Sequence, residues 1–463
     1  MNKKKNEKLI YETDWLASDP IFYNLKTNKA SKKINEIISL DNNFKFHFEG
    51  LYNYLNYGYS VYEQTPIKDI KFLAPASQLI QNSEGKLYVK NLPDPIEKWL
   101  DYKLKEDDII ELVRERVQKW EKSLPKDQTI ILPLSGGFDS RLLLWSLKDK
   151  QRIQAFTYGV SYNQSNSTEV VYAKALADHY NLNWKQISLG DFHNYIDDWD
   201  QEFGISTHAH GMYHLEFYEK IYQTIKRECS YLSGIFGDVW AGNISKINIQ
   251  SSKDLSKLSY SHGLHADPNK IKNLANKNKF TSLSDYFWKN NKRNLFDHRY
   301  QIIHTIRHKI ILISYLMRLP RKFGFKTWSP FLDIDVAMAM LNLPQDRRKD
   351  RIWQKEFFNK VGLDLENKNL KTNYTNILDI QATINQPLKP LDEKILKDFF
   401  DEKYLDWINK NIILGFFNRL KLRLIKIPKI EGILLMFGFK RFVKAYSAYM
   451  CLKPIEMFLK KIK

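Results

Sequence analysis

The sequence predicts an α/β fold with a doubly wound parallel sheet, preceded by a small β-rich segment and followed by a helical, basic tail. Three observations predict it. Short apolar runs alternate with segments of helical pattern, and two of those runs end in glycine-rich loops. A chain of 463 residues with 43% hydrophobic content is also long enough for a sizeable core. The first run, Thr129-Ile130-Ile131-Leu132, reads as a buried strand, and Arg141-Leu142-Leu143-Leu144-Trp145-Ser146-Leu147 as the helix after it. Gln154-Ala155-Phe156-Thr157-Tyr158-Gly159 reads as a second strand. Ser167-Thr168-Glu169 then opens a helix carrying Ala173, Ala175 and Ala177, and Trp184-Lys185-Gln186-Ile187-Ser188 reads as a third strand.

Between the first strand and its helix lies Leu134-Ser135-Gly136-Gly137-Phe138-Asp139-Ser140. Glycines let a backbone approach a ligand without an intervening Cβ. The first amides of a helix lack intrahelical partners, and the helix dipole there favours an anion. The hydroxyls of Ser135 and Ser140 can add donors to phosphate oxygens. Asp139 would repel phosphate unless Mg²⁺ lay between them. The pattern therefore points to a polyphosphate held together with its metal. A bare glycine-rich turn between strand and helix is the bland alternative, and the order strand, loop, helix argues against it. The second loop, Ser233-Gly234-Ile235-Phe236-Gly237-Asp238-Val239-Trp240-Ala241-Gly242, again follows an apolar run, and loops at the carboxyl ends of parallel strands converge on one crevice.

The first loop resembles the SGGxDS loop of the ATP pyrophosphatases, which cleave ATP between the α and β phosphates, and differs from the lysine-bearing GxxxxGK[ST] loop. The second resembles the SGxGxDExxGG region of asparagine synthetases. Ser329-Pro330-Phe331-Leu332-Asp333, with Leu343-Pro344 after it, is similar to the PFLD segment of the same family. The resemblance implies an adenine nucleotide α-hydrolase-like domain over 106–395 that uses ATP and Mg²⁺. It implies Asp139 and Asp238 as the metal pair, and Ser135, Gly136, Gly137 and Ser140 as the pyrophosphate cradle. Leu134 and the turn Thr157, Tyr158, Gly159 would frame the adenosine, with Gly234 and Gly237 in the second loop. The family also has a lysine after its PFLD segment that assists the departing pyrophosphate. Lys371 and Lys355 are the matching candidates; Lys371 is nearer the expected place, and a solvated surface role is the default for both. Where the family carries acidic residues, this chain has Ile235 and Val239, so the resemblance favours an acceptor other than free aspartate.

Residues 51–58 and 65–76 are similar to the end of the family's glutamine-hydrolysing domain, which makes 1–105 a truncated remnant of a glutamine amidotransferase-like domain. That domain begins with a nucleophilic cysteine, whereas here no cysteine precedes Cys229. Without a thiol there is no thioester route to ammonia. The expected activity is adenylation of a carboxylate with release of pyrophosphate, then amide formation with free ammonia or a substrate amine. The alternative is a non-catalytic nucleotide-binding partner protein associated with a membrane or a surface-glycan pathway.

Two cysteines suit a reducing cytoplasm, no secretory leader is visible at the basic N-terminus, and no apolar run approaches about 18 residues. The net charge of +19 is uneven: residues 411–463 hold twelve Lys/Arg against Glu431 and Glu456, more than half of the excess. In this 396–463 segment Ile433–Phe437, Phe439, Phe442, Val443, Tyr446, Tyr449 and Met450 recur at helical spacing, while Leu420, Leu422 and Leu424 alternate with Lys421 and Arg423. A basic amphipathic segment can lie on an anionic membrane surface, making the protein peripheral there; equally, it can be a terminal helix packed on the protein. No nucleic-acid recognition pattern accompanies the charge. His208, His210 and His214 form a dense cluster, but they lack a full ligand set and read as acceptor contacts or surface histidines before metal ligands.

Overall fold

The computed structural model describes residues 7–39, 44–225, 227–258, 264–272, 282–415 and 439–462. Six short strands come first: β1 (Lys8–Glu12), β2 (Phe22–Asn24), β3 (Lys29–Ser31), β4 (Lys71–Phe72), β5 (Ser77–Gln81) and β6 (Leu87–Asn91). They form two antiparallel sheets, ordered β1-β5-β6 and β3-β2-β4. Between them the helix Phe48–Tyr57 starts at His47, whose side chain accepts from the Gly50 amide, and stops at Gly58 with φ 82°. This front segment packs directly on the rest of the chain. Trp15 donates its Nε1 to Leu332 O at 2.9 Å, and Arg307 donates to Trp15 O at 2.7 Å while pairing with Asp94.

The helix Glu106–Ser123 buries Ile109, Ile110, Val113 and Val117, a stripe at helical spacing, and places three acids in its first turn. The main sheet follows: β7 (Ile130–Pro133), β8 (Ile153–Thr157), β9 (Asn183–Gln186), β10 (Ser230–Leu232) and β11 (Lys326–Trp328). All neighbours are parallel and the order is β11-β10-β7-β8-β9. The helices Phe138–Ser146 and Thr168–Tyr180 carry the chain from β7 to β8 and from β8 to β9. The chain then returns, through Ile196–Phe203 and Met212–Ile225, to the other side of β7 as β10. Strand order thus reverses between β7 and β10, the place where a parallel sheet opens a crevice at its carboxyl edge. Ile130, Ile131 and Leu132 are wholly buried, as in a strand covered on both faces.

The helix Lys440–Ile462 packs beside the helix Glu402–Ile412 and buries Phe442, Tyr446, Tyr449, Met450, Leu452 and Ile455. Tyr54 Oη donates to Cys451 O at 3.0 Å, and the Ala209 amide to Met450 O at 3.0 Å. The apolar side of this helix therefore faces the protein, which corrects the membrane-surface reading for residues 440–462. Leu420, Leu422 and Leu424 and the run 433–437 lie outside the described residues. Among the described residues no helix is long and apolar enough to cross a membrane.

Candidate functional site

The first loop leaves β7 at its carboxyl end. Leu134 keeps sheet pairing through its amide, which donates to Phe156 O at 2.9 Å, and its carbonyl accepts from Thr157 Oγ1. Trp184 Nε1 donates to the same Thr157 hydroxyl at 2.9 Å, fixing the end of β8. The Ser135 and Ser140 hydroxyls lie 3.2 Å apart, and Ser135 Oγ accepts from the Gly137 amide at 3.3 Å. Gly136 has φ 72°, and a Cβ there would collide with Tyr172. Gly137 caps the helix Phe138–Ser146, so the amides of its first turn have no intrahelical partners. Arg141, wholly buried, donates to Gly136 O at 2.7 Å and pairs with Glu366, tying the loop to a segment more than 200 residues on.

The second loop closes against the first. The Asp238 amide donates to Asp139 Oδ2 at 2.7 Å. A Cβ on Gly237 would stand 2.6 Å from Asp139 Cγ and 2.9 Å from Phe331 Cε2, so only glycine fits between the carboxylate and the segment Ser329–Asp333. Gly234 comes next closest, its added Cβ 3.3 Å from Asp139 Cβ. Phe236 adopts φ 69°, uncommon for a non-glycine residue and held here by burial against Trp240. Trp240 Nε1 in turn donates to Phe331 O at 2.9 Å.

Asp139 Oδ1 is sealed from solvent and has no hydrogen-bond partner. Burial pushes the Asp139 carboxyl well above its ordinary range, the Asp238 charge adds to this, and Arg351 opposes it. Asp238 Oδ2 accepts from Asn243 Nδ2 at 2.8 Å. An orphaned carboxylate oxygen beside a second carboxylate fits a hard divalent cation, which takes oxygen ligands and removes their mutual repulsion.

A cavity of about 360 Å³ opens at this point. Leu134, Ser135, Asp139, Ser140, Thr157, Tyr158, Gly234 and Asp238 all border it, so most of the sequence-predicted residues converge. Gly136, Gly137 and Gly237 shape the two loops, and Gly159 turns against Gln164 O, which a Cβ there would strike. The remaining wall is largely apolar and aromatic, with Phe217, Tyr218, Tyr231, Ile235 and Leu316.

The two lysines do not join this group. Lys355 is exposed and borders a separate cavity. Lys371 is exposed, two residues before Asn373, whose carbonyl accepts from the Thr168 amide at 3.0 Å. Among the described residues the three histidines belong to no group that could hold a metal ion. His210 Nε2 lies 3.1 Å from Asp379 Oδ1, and the His210 amide donates to His208 Nδ1 at 3.2 Å. His214 borders the cavity, and burial lowers its pKa to about 3.

Three residues at the site were not singled out as site residues from the sequence. Glu169 borders the cavity with a sealed, unpartnered Oε2, and burial raises its carboxyl; its place opening the helix after β8 was the available signal. Arg351 stands 4.7 Å over the Phe138 ring and acts on Asp139, delivered by consecutive left-handed residues, Asp350 (φ 52°) and Arg351 (φ 56°). Lys309, on the buried helix His298–Ile313, is only 3% exposed; burial lowers its pKa to about 7 against the pull of Asp238.

A family model described as asparagine synthase matches residues 113–238, from within the helix Glu106–Ser123 through both loops to Asp238. No curated protein matches the chain. The matched segment, residues 113–238, is similar to the asparagine synthase family and carries both of the carboxylates that meet at the cavity.

Proposed function

We propose that the protein is an ATP-dependent carbon–nitrogen ligase that forms AMP and pyrophosphate, built on a doubly wound sheet of the adenine nucleotide α-hydrolase kind. The observation that carries the reading is the junction of Asp139 and Asp238 at a helix N-terminus, with one carboxylate oxygen left unpartnered. Leu134 and the Thr157–Gly159 turn frame the adenosine. Ser135, Gly136, Gly137 and Ser140 present amides and hydroxyls to the pyrophosphate end, and Asp139 and Asp238 hold Mg²⁺. The bound metal would neutralise phosphate charge. Arg351 adds a fixed positive charge beside Asp139, while Lys355 and Lys371 stand further out as the charge partners expected from the family.

The reaction is written from the substrates. A carboxylate oxygen of the acceptor attacks the α-phosphorus of ATP, the bond to the bridging oxygen breaks, and pyrophosphate leaves. An amine then attacks the acyl carbon, AMP leaves with its electron pair, and the nitrogen gives up a proton. The protein's part is positioning and charge neutralisation. Ile235 and the aromatic wall support an acceptor less polar than free aspartate. The amine is ammonia or a group on the acceptor, because Cys229 and Cys451 are the chain's two cysteines, both are buried, and burial raises both thiols. Residues 1–105 then act as a glutaminase-less remnant that braces the second loop through Trp15, whose ring lies 5.6 Å from that of Trp240.

Calorimetry with MgATP tests the reading. Wild type is expected to bind, and Asp139→Ala and Asp238→Ala to lose Mg²⁺-dependent binding and pyrophosphate release with carboxylate acceptors. A folded wild type that does not bind MgATP would overturn it. Binding without release for any carboxylate would favour the non-catalytic partner.

A further inference from the structure

A second cavity, of about 560 Å³, lies beyond Asn243, with its own set of lining residues. Asn243 borders it and donates to Asp238, and Arg351 borders it while acting on Asp139. Its wall carries Lys246, Arg348, Lys349, Arg351 and Lys355 against one carboxylate, Asp350. Arg348 is the decisive residue. It is 3% exposed, its Nη1 reaches Leu341 O at 3.3 Å, and its Nε and Nη2 are sealed from solvent with no hydrogen-bond partner. A buried guanidinium with unmade hydrogen bonds is costly unless something supplies them, and the acid that acts on it, Asp297, is already paired with Arg299.

The protein's general excess of cations does not account for this arrangement. In a cavity beside the C-terminal helix, Lys453 and Lys460 pair with Glu456, and Lys461 pairs with Asp200. Next to Arg348 in the chain, Arg347 pairs with Glu106 and Glu356. The wall is also held in place by its backbone. Gly242, at φ 126°, lies so close to Arg348 O that any Cβ would strike it, and Asp350 and Arg351 are both left-handed.

We propose that this cavity is a second anion site, which takes a phosphoryl or pyrophosphoryl group while the first cavity holds the nucleotide. The assignment of the first cavity rests on the proposed function; the anion site itself does not. Arginine and lysine together suit phosphate oxygens, the guanidinium giving directed hydrogen bonds and the ammonium groups giving charge. The group could come from two sources: pyrophosphate leaving the first cavity, or a phosphate ester carried by the acceptor.

Calorimetry on the full chain tests it, with the nucleotide site first saturated by α,β-methylene-ATP and Mg²⁺. Inorganic pyrophosphate is expected to bind to the saturated protein, and its affinity to fall at least tenfold in Lys246→Gln/Lys349→Gln, whose two side chains are exposed and leave folding intact. Arg348→Gln should abolish binding, with circular dichroism confirming the fold. Pyrophosphate that binds only in competition with the nucleotide, or an affinity untouched by the double variant, overturns the proposal. If the nucleotide analogue itself does not bind, the proposed function fails, while the same double variant still reads the anion site in nucleotide-free protein. A parallel titration with glycerol 3-phosphate separates the sources: tighter pyrophosphate binding assigns the site to the product, and tighter ester binding assigns it to the acceptor.

Discussion

Gly237→Ala places a methyl carbon 2.6 Å from Asp139 Cγ, with Phe331 blocking the opposite retreat. The substitution is expected to push Asp139 away from Asp238, weaken MgATP binding at least tenfold, and destabilise the fold by about 1–3 kcal/mol through overpacking. Calorimetry and urea denaturation read the two effects. Unchanged affinity would mean that the close approach of the loops is not needed for the nucleotide. The residues of the two loops were legible in the sequence because their chemistry is local: glycines, hydroxyls and a carboxylate within seven positions. Arg351 and Lys309 were not, because nothing within a few residues of either names its partner. Arg351 reaches Phe138 and Asp139 from more than 200 positions away, and Lys309 comes near Asp238 only through the burial of its helix.

The first three strands of the main sheet were readable as elements, since Ile130–Pro133 and Ile153–Thr157 are apolar and Asn183–Gln186 follows a patterned helix. The edge strand β11, Lys326-Thr327-Trp328, was not, because it carries no apolar run and is defined only by pairing with β10. For the C-terminal helix, sequence pattern supplies amphipathicity but not the identity of the apolar partner. The structure makes that partner the helix Glu402–Ile412 together with the segments around Tyr54 and Ala209. Leu452 is wholly buried there, so Leu452→Ala is expected to cost about 2–5 kcal/mol in urea denaturation. A helix that lay on a membrane would tolerate the change with stability unaltered.

At the level of the whole molecule, burial lowers the pKa of His214 to about 3, of His308 to about 4, and of His304 well below its ordinary value. These histidines stay neutral in the folded protein, while the unfolded chain takes up protons near pH 6.5. Stability is therefore full above that pH and falls as pH drops toward 4. Asp139 works in the opposite direction, because its raised carboxyl is protonated in the folded state before it is in the unfolded chain. The strongly shifted histidines outnumber the one carboxyl raised that far, so a net loss of stability is expected as pH falls below about 6.5. Urea midpoints measured from pH 7.5 to 5 should show this fall, and a flat profile would contradict it. The bond from Tyr54 to Cys451 spans 397 positions, and the intervening chain includes both loops of the site. At ribosomal speeds of about 5–20 residues per second, roughly 20–80 s separate synthesis of the two partners. Throughout that interval the part of the helix Phe48–Tyr57 that meets Cys451 is without this partner, so completion of that packing falls near the end of translation.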